Sequence, residues 1–450
     1  MPIRSMPDLL TVADALRLIE QHATVLPAEP VALTEALGRT LAADVASDVD
    51  SPPHNKAMMD GYAVRSGDGM APRAVVEEVF AGGLPTAEVG PGQATRIMTG
   101  APMPAGADCV TPVEQTELAG GSVSLTGKPP QAGKHVMPRG EAMRAGQTVL
   151  RAGAVVRPAE VALLAEVGAA RVQAIRRPRV AVLPTGAELV PPSEKPGPGQ
   201  IRNSNGPMLL AAVREASCQP IDAGVGPDDE RGLRQAVQAA RGPSPAGEED
   251  SGADVLLLSG GVSAGDRDLA PGVLAELGVQ RVLHKVAVKP GKPVWFGVWP
   301  PDAARGTPTW VFGLPGNPVS SFVCFHLFVR PLLSAIAGRG FAGLPMIRAA
   351  LVKEHTHRGG RETYLPARVT TDAAGKPAGP AGGAKPGGPG GTPVETPAER
   401  PVERLVEPVA WRGSADLAGL VAANALIRLP VEPGHYPPGT QADVLLLPTA

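Results

Sequence analysis

Between Asp254 and Leu277 the apolar run DVLLL ends in SGGVSAGD and passes into a helical pattern from Leu269 to Leu277. Glycines in such a turn let a ligand come close to the backbone, and the helix start directs unpaired N–H groups and a positive dipole end at an anion. Ser259, Gly260, Gly261, Ser263 and Gly265 are therefore candidate contacts for a phosphate or a pterin. A tight turn after a strand needs glycine with or without a ligand, so this segment alone leaves both readings open.

Segment 284–297, HKVAVKPGKPVWFG, adds Lys285, Lys289 and Lys292. As a strand, Lys285 to Lys289 would set Lys285, Ala287 and Lys289 on one face and Val286 and Val288 on the other. Ammonium groups this close repel unless an anion sits between them; the competing reading is a sheet edge protected by lysine. Pro290 and Pro293 fix the geometry and favour the anion. In GLPGNPVSSF, residues 313–322, Pro315, Gly316 and Asn317 punctuate another strand-to-helix turn at the end of the sheet where open α/β folds bind ligands.

Carboxylates complete the set. Glu188 follows Thr185-Gly186, Asp228 and Asp229 follow a strand ending at Val225, and Asp266 and Asp268 follow the glycines. Acids at strand ends beside lysines suit Mg²⁺ shared with phosphate oxygens. For Asp228 and Asp229, capping of the helical pattern DDERGLRQAVQAA is an equal alternative. Nearer the N-terminus, Asp60-Gly61 in MMDGYAV reads as a hairpin turn and Thr99-Gly100 in RIMTGAPMPAGAD as a sharp loop.

These residues need a scaffold. Residues 11–22 form an amphipathic pattern with Thr11 as N-cap, and PAEVALLAEVG, residues 158–168, is a second short helix with Pro at its first turn. The stretch from Pro27 to about Gly153 consists of short Val-rich runs broken by Pro and Gly, which predicts β structure. After Arg176 strand and helix patterns alternate, which predicts an α/β domain with a mostly parallel sheet over 177–338. The expected organisation is an N-terminal region, 7–176, then the α/β domain, then a strand-rich C-terminal domain, 345–450. Within the last, about 372–403 is a Pro/Gly tract expected to be a disordered insertion.

With 450 residues, several cores are expected. Lys+Arg of 42 against Asp+Glu of 44 leave a net charge of −2, which argues against nucleic acid as a partner. The N-terminus lacks the apolar stretch of a signal peptide, and no uninterrupted run of transmembrane length is expected, so a cytoplasmic protein without membrane contact is predicted. Cys109, Cys218 and Cys324 lack metal-site spacing and are expected to be buried apolar residues.

In order along the chain, SPPHNKAMMDGYAV, RIMTGAPMPAGADCV, PRGE, PTGAEL, SGGVSAGD, VKPGKP and GLPGNPVS resemble the molybdopterin molybdotransferase family, which contains the bacterial MoeA proteins and the E domain of gephyrin. The resemblance runs from about residue 7 to 340 and more weakly to the C-terminus. It implies an elongated homodimer with a molybdopterin-binding α/β domain, a helical and β N-terminal part containing an inserted β subdomain at about 47–150, and a C-terminal β-barrel. It also implies a Mg²⁺-dependent reaction in which molybdenum from molybdate enters the dithiolene of adenylylated molybdopterin as AMP is released. By motif, Asp60, Thr99, Glu188, Asp228, Lys285 and Lys289 match catalytic positions, with Asp60, Glu188 and Asp228 as metal ligands. Asp268 matches a further acidic position and Ser414 and Arg361 positions in the C-terminal domain. Ala142 and Ala187 stand where the family carries acids, and Asn55-Lys56 departs from its usual segment. A non-catalytic pterin-binding scaffold or inactive paralogue and a molybdopterin adenylyltransferase are the alternatives, the last disfavoured by the MDGYAV and MTG segments. Other cofactor-synthesis enzymes are candidate partners.

Overall fold

A computed structural model describes residues 9–242, 252–261, 269–301, 306–371 and 404–448. Ser263, Gly265 and Asp268 and the Pro/Gly tract lie outside them. Two compact units divide the chain: Ala28–Ala174 forms the smaller, and the segments on either side of it form the larger.

The first helix, α1 (Val12–Gln21), belongs to the larger unit. The Thr11 hydroxyl accepts from the Asp14 N–H at 3.0 Å, as the N-cap pattern requires. Val12, Ala15 and Ile19 share one buried stripe.

In the smaller unit, Gly61–Val64, Arg73–Val79, Gln93–Ile97, Cys109–Pro112, Thr116–Ala119 and Ser122–Leu125 form a six-stranded sheet. The expected hairpin at Asp60-Gly61 is corrected here, because Gly61–Val64 pairs with Gln93–Ile97 and Cys109–Pro112 and not with the preceding Lys56–Ala57. The glycine serves close approach: a Cβ at Gly61 would stand 2.0 Å from the Thr111 carbonyl oxygen. Helix α2 (Pro158–Glu166) carries the expected first-turn proline and packs Leu164 against Val31, Leu41, Val156 and Val172 in a separate core.

The larger unit is built on β1 (Arg179–Pro184), β2 (Gln219–Asp222), β3 (Val255–Ser259), β4 (Gln280–His284), β5 (Val288–Lys289), β6 (Trp295–Trp299) and β7 (Thr309–Leu314). Six of them form one sheet in the order β2-β1-β3-β7-β6-β4, in which β6 alone runs opposite to the other five, pairing antiparallel with β7 and β4. Along β1 and β3, alternate residues go to opposite faces. Val180, Val182, Val255 and Leu257 join one core with α1, α3 (Asn205–Glu215) and α6 (Pro318–Ile336). Ala181, Leu183, Leu256 and Leu258 join the other with α4 (Glu230–Arg241) and α5 (Ala270–Glu276). Both faces are covered, which is why these strands read as continuous apolar runs. At the opposite end from the glycine turns, the fully buried Asp254 receives both Arg176 Nη atoms at 2.7 and 3.0 Å and the Arg179 N–H at 2.9 Å.

The C-terminal part is the expected barrel. Strands β8 (Met346–Leu351), β9 (Glu362–Thr371), β10 (Arg404–Pro408), β11 (Ala425–Leu429) and β12 (Gln441–Leu446) close in the cycle β9-β10-β8-β12-β11-β9. Val406, Ile427, Leu429 and Val444 fill it.

Two expectations are corrected. Lys285–Lys289 is not one strand: Lys285 takes φ +69°, and only Val288–Lys289 remain extended, pairing with Glu362–Thr363 of β9. Val286 and Val288 are nonetheless buried, so the apolar side of the pattern survives the break. Helix α6 does reach transmembrane length, at 19 residues with mean hydropathy 1.6, yet 78% of it is buried inside the fold, since it is packed by the sheet, α1 and the barrel. The three cysteines are free and buried, as expected. Gly61→Ala is expected to destabilise the protein by roughly 1–3 kcal/mol, because the obstructing atom is backbone and cannot rotate away; an unchanged urea midpoint would refute this.

Candidate functional site

Strands β1, β3 and β7 are in register, with Pro184 beside Ser259 and Ser259 beside Leu314. Each is followed at once by a Gly or Pro turn, so three turns open at one level. Around them lies a cavity of about 880 Å³ whose wall includes Thr185, Gly186, Ser259, Gly260, Gly261, Pro315, Gly316 and Asn317. This is the carboxyl edge at which open α/β sheets take ligands. Gly260 adopts φ +99°, and a Cβ there would meet the Thr185 carbonyl oxygen at 2.6 Å, so the turn excludes any side chain.

Asn205, at the start of α3, ties the turns together. Its Nδ2 donates to the Ser259 hydroxyl and to the Gly316 carbonyl, both at 2.7 Å. The carbonyl accepts only, which settles the amide orientation. Asn205 is not among the sequence-derived candidates; the two asparagines at 203 and 205, just before a helical pattern, were the available signal. Asn203 similarly holds the Gly206 N–H at 2.9 Å through Oδ1.

Two predicted carboxylates, Glu188 and Asp228, line the same cavity. Asp228 Oδ2 accepts from the Ala187 N–H at 2.5 Å, so the backbone of the residue beside Glu188 orients it. Asp229, not Asp228, caps α4, accepting from the Gly232 N–H at 2.8 Å. The local alternatives thus divide cleanly between neighbours. Among the described residues no group of three or more His, Cys, Asp or Glu forms a metal-binding cluster.

Lys285, Lys289 and Lys292 are not among the described residues lining the cavity, although the adjoining Pro293 is. They belong to the segment that joins sheet and barrel. Arg361 reaches that segment, its Nη1 donating to the Val288 carbonyl at 3.2 Å. Ser414 reaches the cavity rim: its hydroxyl accepts from Asn317 Nδ2 at 2.9 Å and its carbonyl from the Val319 N–H at 3.0 Å.

In the smaller unit, Asp60 and Thr99 come together from 39 residues apart. Asp60 Oδ1 accepts from both the Thr99 N–H and the Thr99 hydroxyl at 2.7 Å. The backbone bond first and then the hydroxyl hold the exposed carboxyl below its usual range; a smaller desolvation effect opposes them, and a still smaller attraction from Arg96 adds to the lowering. Arg96 is itself placed by Glu78 at 2.9 Å and the buried Tyr62 hydroxyl at 3.2 Å. In the PRGE loop, Asn55 Oδ1 accepts from the Arg139 N–H at 2.9 Å, and Asp50 takes the Arg139 side chain at 2.6 Å. The unusual Asn55-Lys56 segment therefore anchors that loop.

The MoeA N-terminal region, domains I and II, matches residues 10–168, and the probable molybdopterin binding domain matches residues 181–335. A molybdopterin molybdenumtransferase from Nostoc sp. is 35% identical over 373 residues, covering 81% of this chain and 82% of that protein. One from Staphylococcus aureus is 31% identical over 373 residues, covering 81% of this chain and 85% of its own length. The crystal structure of a molybdopterin biosynthesis MoeA protein from Pyrococcus horikosii superposes with a TM-score of 0.74 at 28% identity, covering 98% of this chain and 100% of that one.

Because its native value is depressed, the Asp60 interaction contributes above the unfolded carboxylate pKa of about 3.9 and is lost as pH falls through the native value. Thr99→Val, which removes the hydroxyl and keeps the backbone N–H, is expected to raise the Asp60 pKa part of the way toward the ordinary range, read by NMR titration of side-chain carboxyl carbons; an unmoved titration would show that the Thr99 hydroxyl does not hold it.

Proposed function

From the premise that the chain belongs to the molybdopterin molybdenumtransferase family, and is a transferase of molybdenum cofactor biosynthesis, we propose that it moves molybdenum from molybdate into the dithiolene of adenylylated molybdopterin with Mg²⁺-dependent release of AMP. The observation carrying this reading is the single cavity in which the glycine turns after β1 and β3, the Pro-Gly-Asn turn after β7, and the carboxylates of Glu188 and Asp228 meet. A phosphorylated pterin needs close backbone approach, which Gly260 permits while its own N–H donates to the Leu314 carbonyl, and N–H donors, for which Gly261, Gly316 and Asn317 are placed.

The donor set suits Mg²⁺. This ion commonly takes one or two carboxylates and completes its shell with water and substrate phosphate. Glu188 and Asp228 would hold it, Asp228 through the oxygen that the Ala187 N–H leaves free. Bound there, the ion would polarise the phosphoanhydride. Ala187 removes a side-chain acid but keeps the N–H that orients Asp228. Asp60, held ionised by Thr99, and Lys285 and Lys289 are proposed as further functional residues. A cytoplasmic homodimer that receives the substrate from, and passes the product to, other cofactor-synthesis enzymes completes the proposal.

Purified protein supplied with adenylylated molybdopterin, Mg²⁺ and molybdate is expected to release AMP and form cofactor; binding without release would make it a scaffold. Asp228→Asn and Glu188→Gln are each expected to lower kcat on the order of a hundredfold, since a metal's charge stabilisation is worth several kcal/mol, with tenfold per ~1.4 kcal/mol. Wild-type rates in both variants would remove the metal assignment. Lys289→Ala, on an exposed side chain, is expected to impair turnover with an unchanged melting temperature.

A further inference from the structure

The cavity poses a charge problem. Its described wall carries two carboxylates, Glu188 and Asp228, and the lysines that sequence reasoning assigned to anion binding are absent from it. A phosphate entering such a space is repelled unless a cation stands inside. Among the described lining residues one permanent cation is present, Arg202. We propose that Arg202 is a substrate-binding residue, its guanidinium gripping the nucleotide phosphate of the adenylylated substrate beside the Glu188 and Asp228 carboxylates; this rests on the transferase reading above.

Local structure prepares it for that role. Val190 pairs with Arg202 and Leu189 with Ile201 in a two-stranded parallel ribbon, and the Ile201 N–H donates to the Glu188 carbonyl at 2.8 Å. Glu188 and Arg202 are thereby held at a fixed offset by one ribbon, while Asn205, which follows, anchors its end to the turns after β3 and β7. The Arg202 Nε donates to the Glu194 carbonyl at 2.9 Å. That bond orients the guanidinium plane, and no carboxylate among the described residues pairs with it. Both Nη groups remain for a ligand. A planar fork with two free amino groups matches two phosphoryl oxygens, a geometry lysine lacks.

Arg202 is exposed and outside every core cluster, so its replacement spares the fold. The full chain would be titrated with AMP by calorimetry in Mg²⁺, and assayed for AMP release, as wild type, Arg202→Ala and Arg202→Lys. Arg202→Ala is expected to weaken AMP binding and raise KM for adenylylated molybdopterin on the order of tenfold or more, with an unchanged melting temperature. Arg202→Lys, which keeps the charge without the fork, is expected to restore only part of the loss. Wild-type AMP affinity and KM in Arg202→Ala, while the wild-type protein turns over, would overturn this assignment and leave the transferase reading standing. Failure of the wild-type protein itself to release AMP would overturn both.

Discussion

The shared register of three parallel strands is the constraint on which the site depends. Pro184, Ser259 and Leu314 stand side by side, so the turns following them open at a single level although they lie far apart in the chain. Any slip by one residue would invert the two faces of the sheet, exposing Val180, Val182, Val255 and Leu257 on one side and stranding their partners on the other. Covering both faces with helices makes that slip costly. The ligand edge is therefore secured by the same apolar packing that makes the domain fold.

At that edge, packing gives way to polar geometry. The Asn205 amide joins the end of β3 to the turn after β7, and the Ala187 N–H orients Asp228. Ser414 extends the same framework into the connection between barrel strands β10 and β11, through its two bonds to Asn317 and Val319. The barrel also takes in β5 as an added strand on β9, which fixes the lysine segment. The C-terminal part thus contributes to the site by holding its loops, even though its own core of small aliphatic residues is separate.

The smaller unit shows a similar economy. Asp60 and Thr99 sit in loops flanking neighbouring strands, and the antiparallel pairing of Gly61 with Ile97 brings the two loops to the same end. The depressed pKa of Asp60 follows from that pairing, because both donors to its Oδ1 belong to one residue.

Sequence by itself determined the class of the α/β domain, the capped first helix, the closing barrel and the family, because apolar periodicity and turn residues are local properties and seven motifs in one order are specific. It placed the 260–261 glycines at the end of β3 and Glu188 in the turn after β1, whereas the strand expected to end at Val225 stops at Asp222, so Asp228 reaches the cavity from a loop and not from a strand end. Only the tertiary structure decided which side chains share a space. It left Lys285, Lys289 and Lys292 off the described wall, because a left-handed residue at 285 breaks the strand that periodicity implied and β9 captures what remains. It divided Asp228 from Asp229, one in the cavity and one on a helix cap, and it made Asn205 and Arg202 part of the wall. Apart from the local Asp229 cap, those outcomes rest on contacts such as Ala187 with Asp228 and Asn205 with Gly316, between residues remote in the chain, whose distances no local pattern encodes.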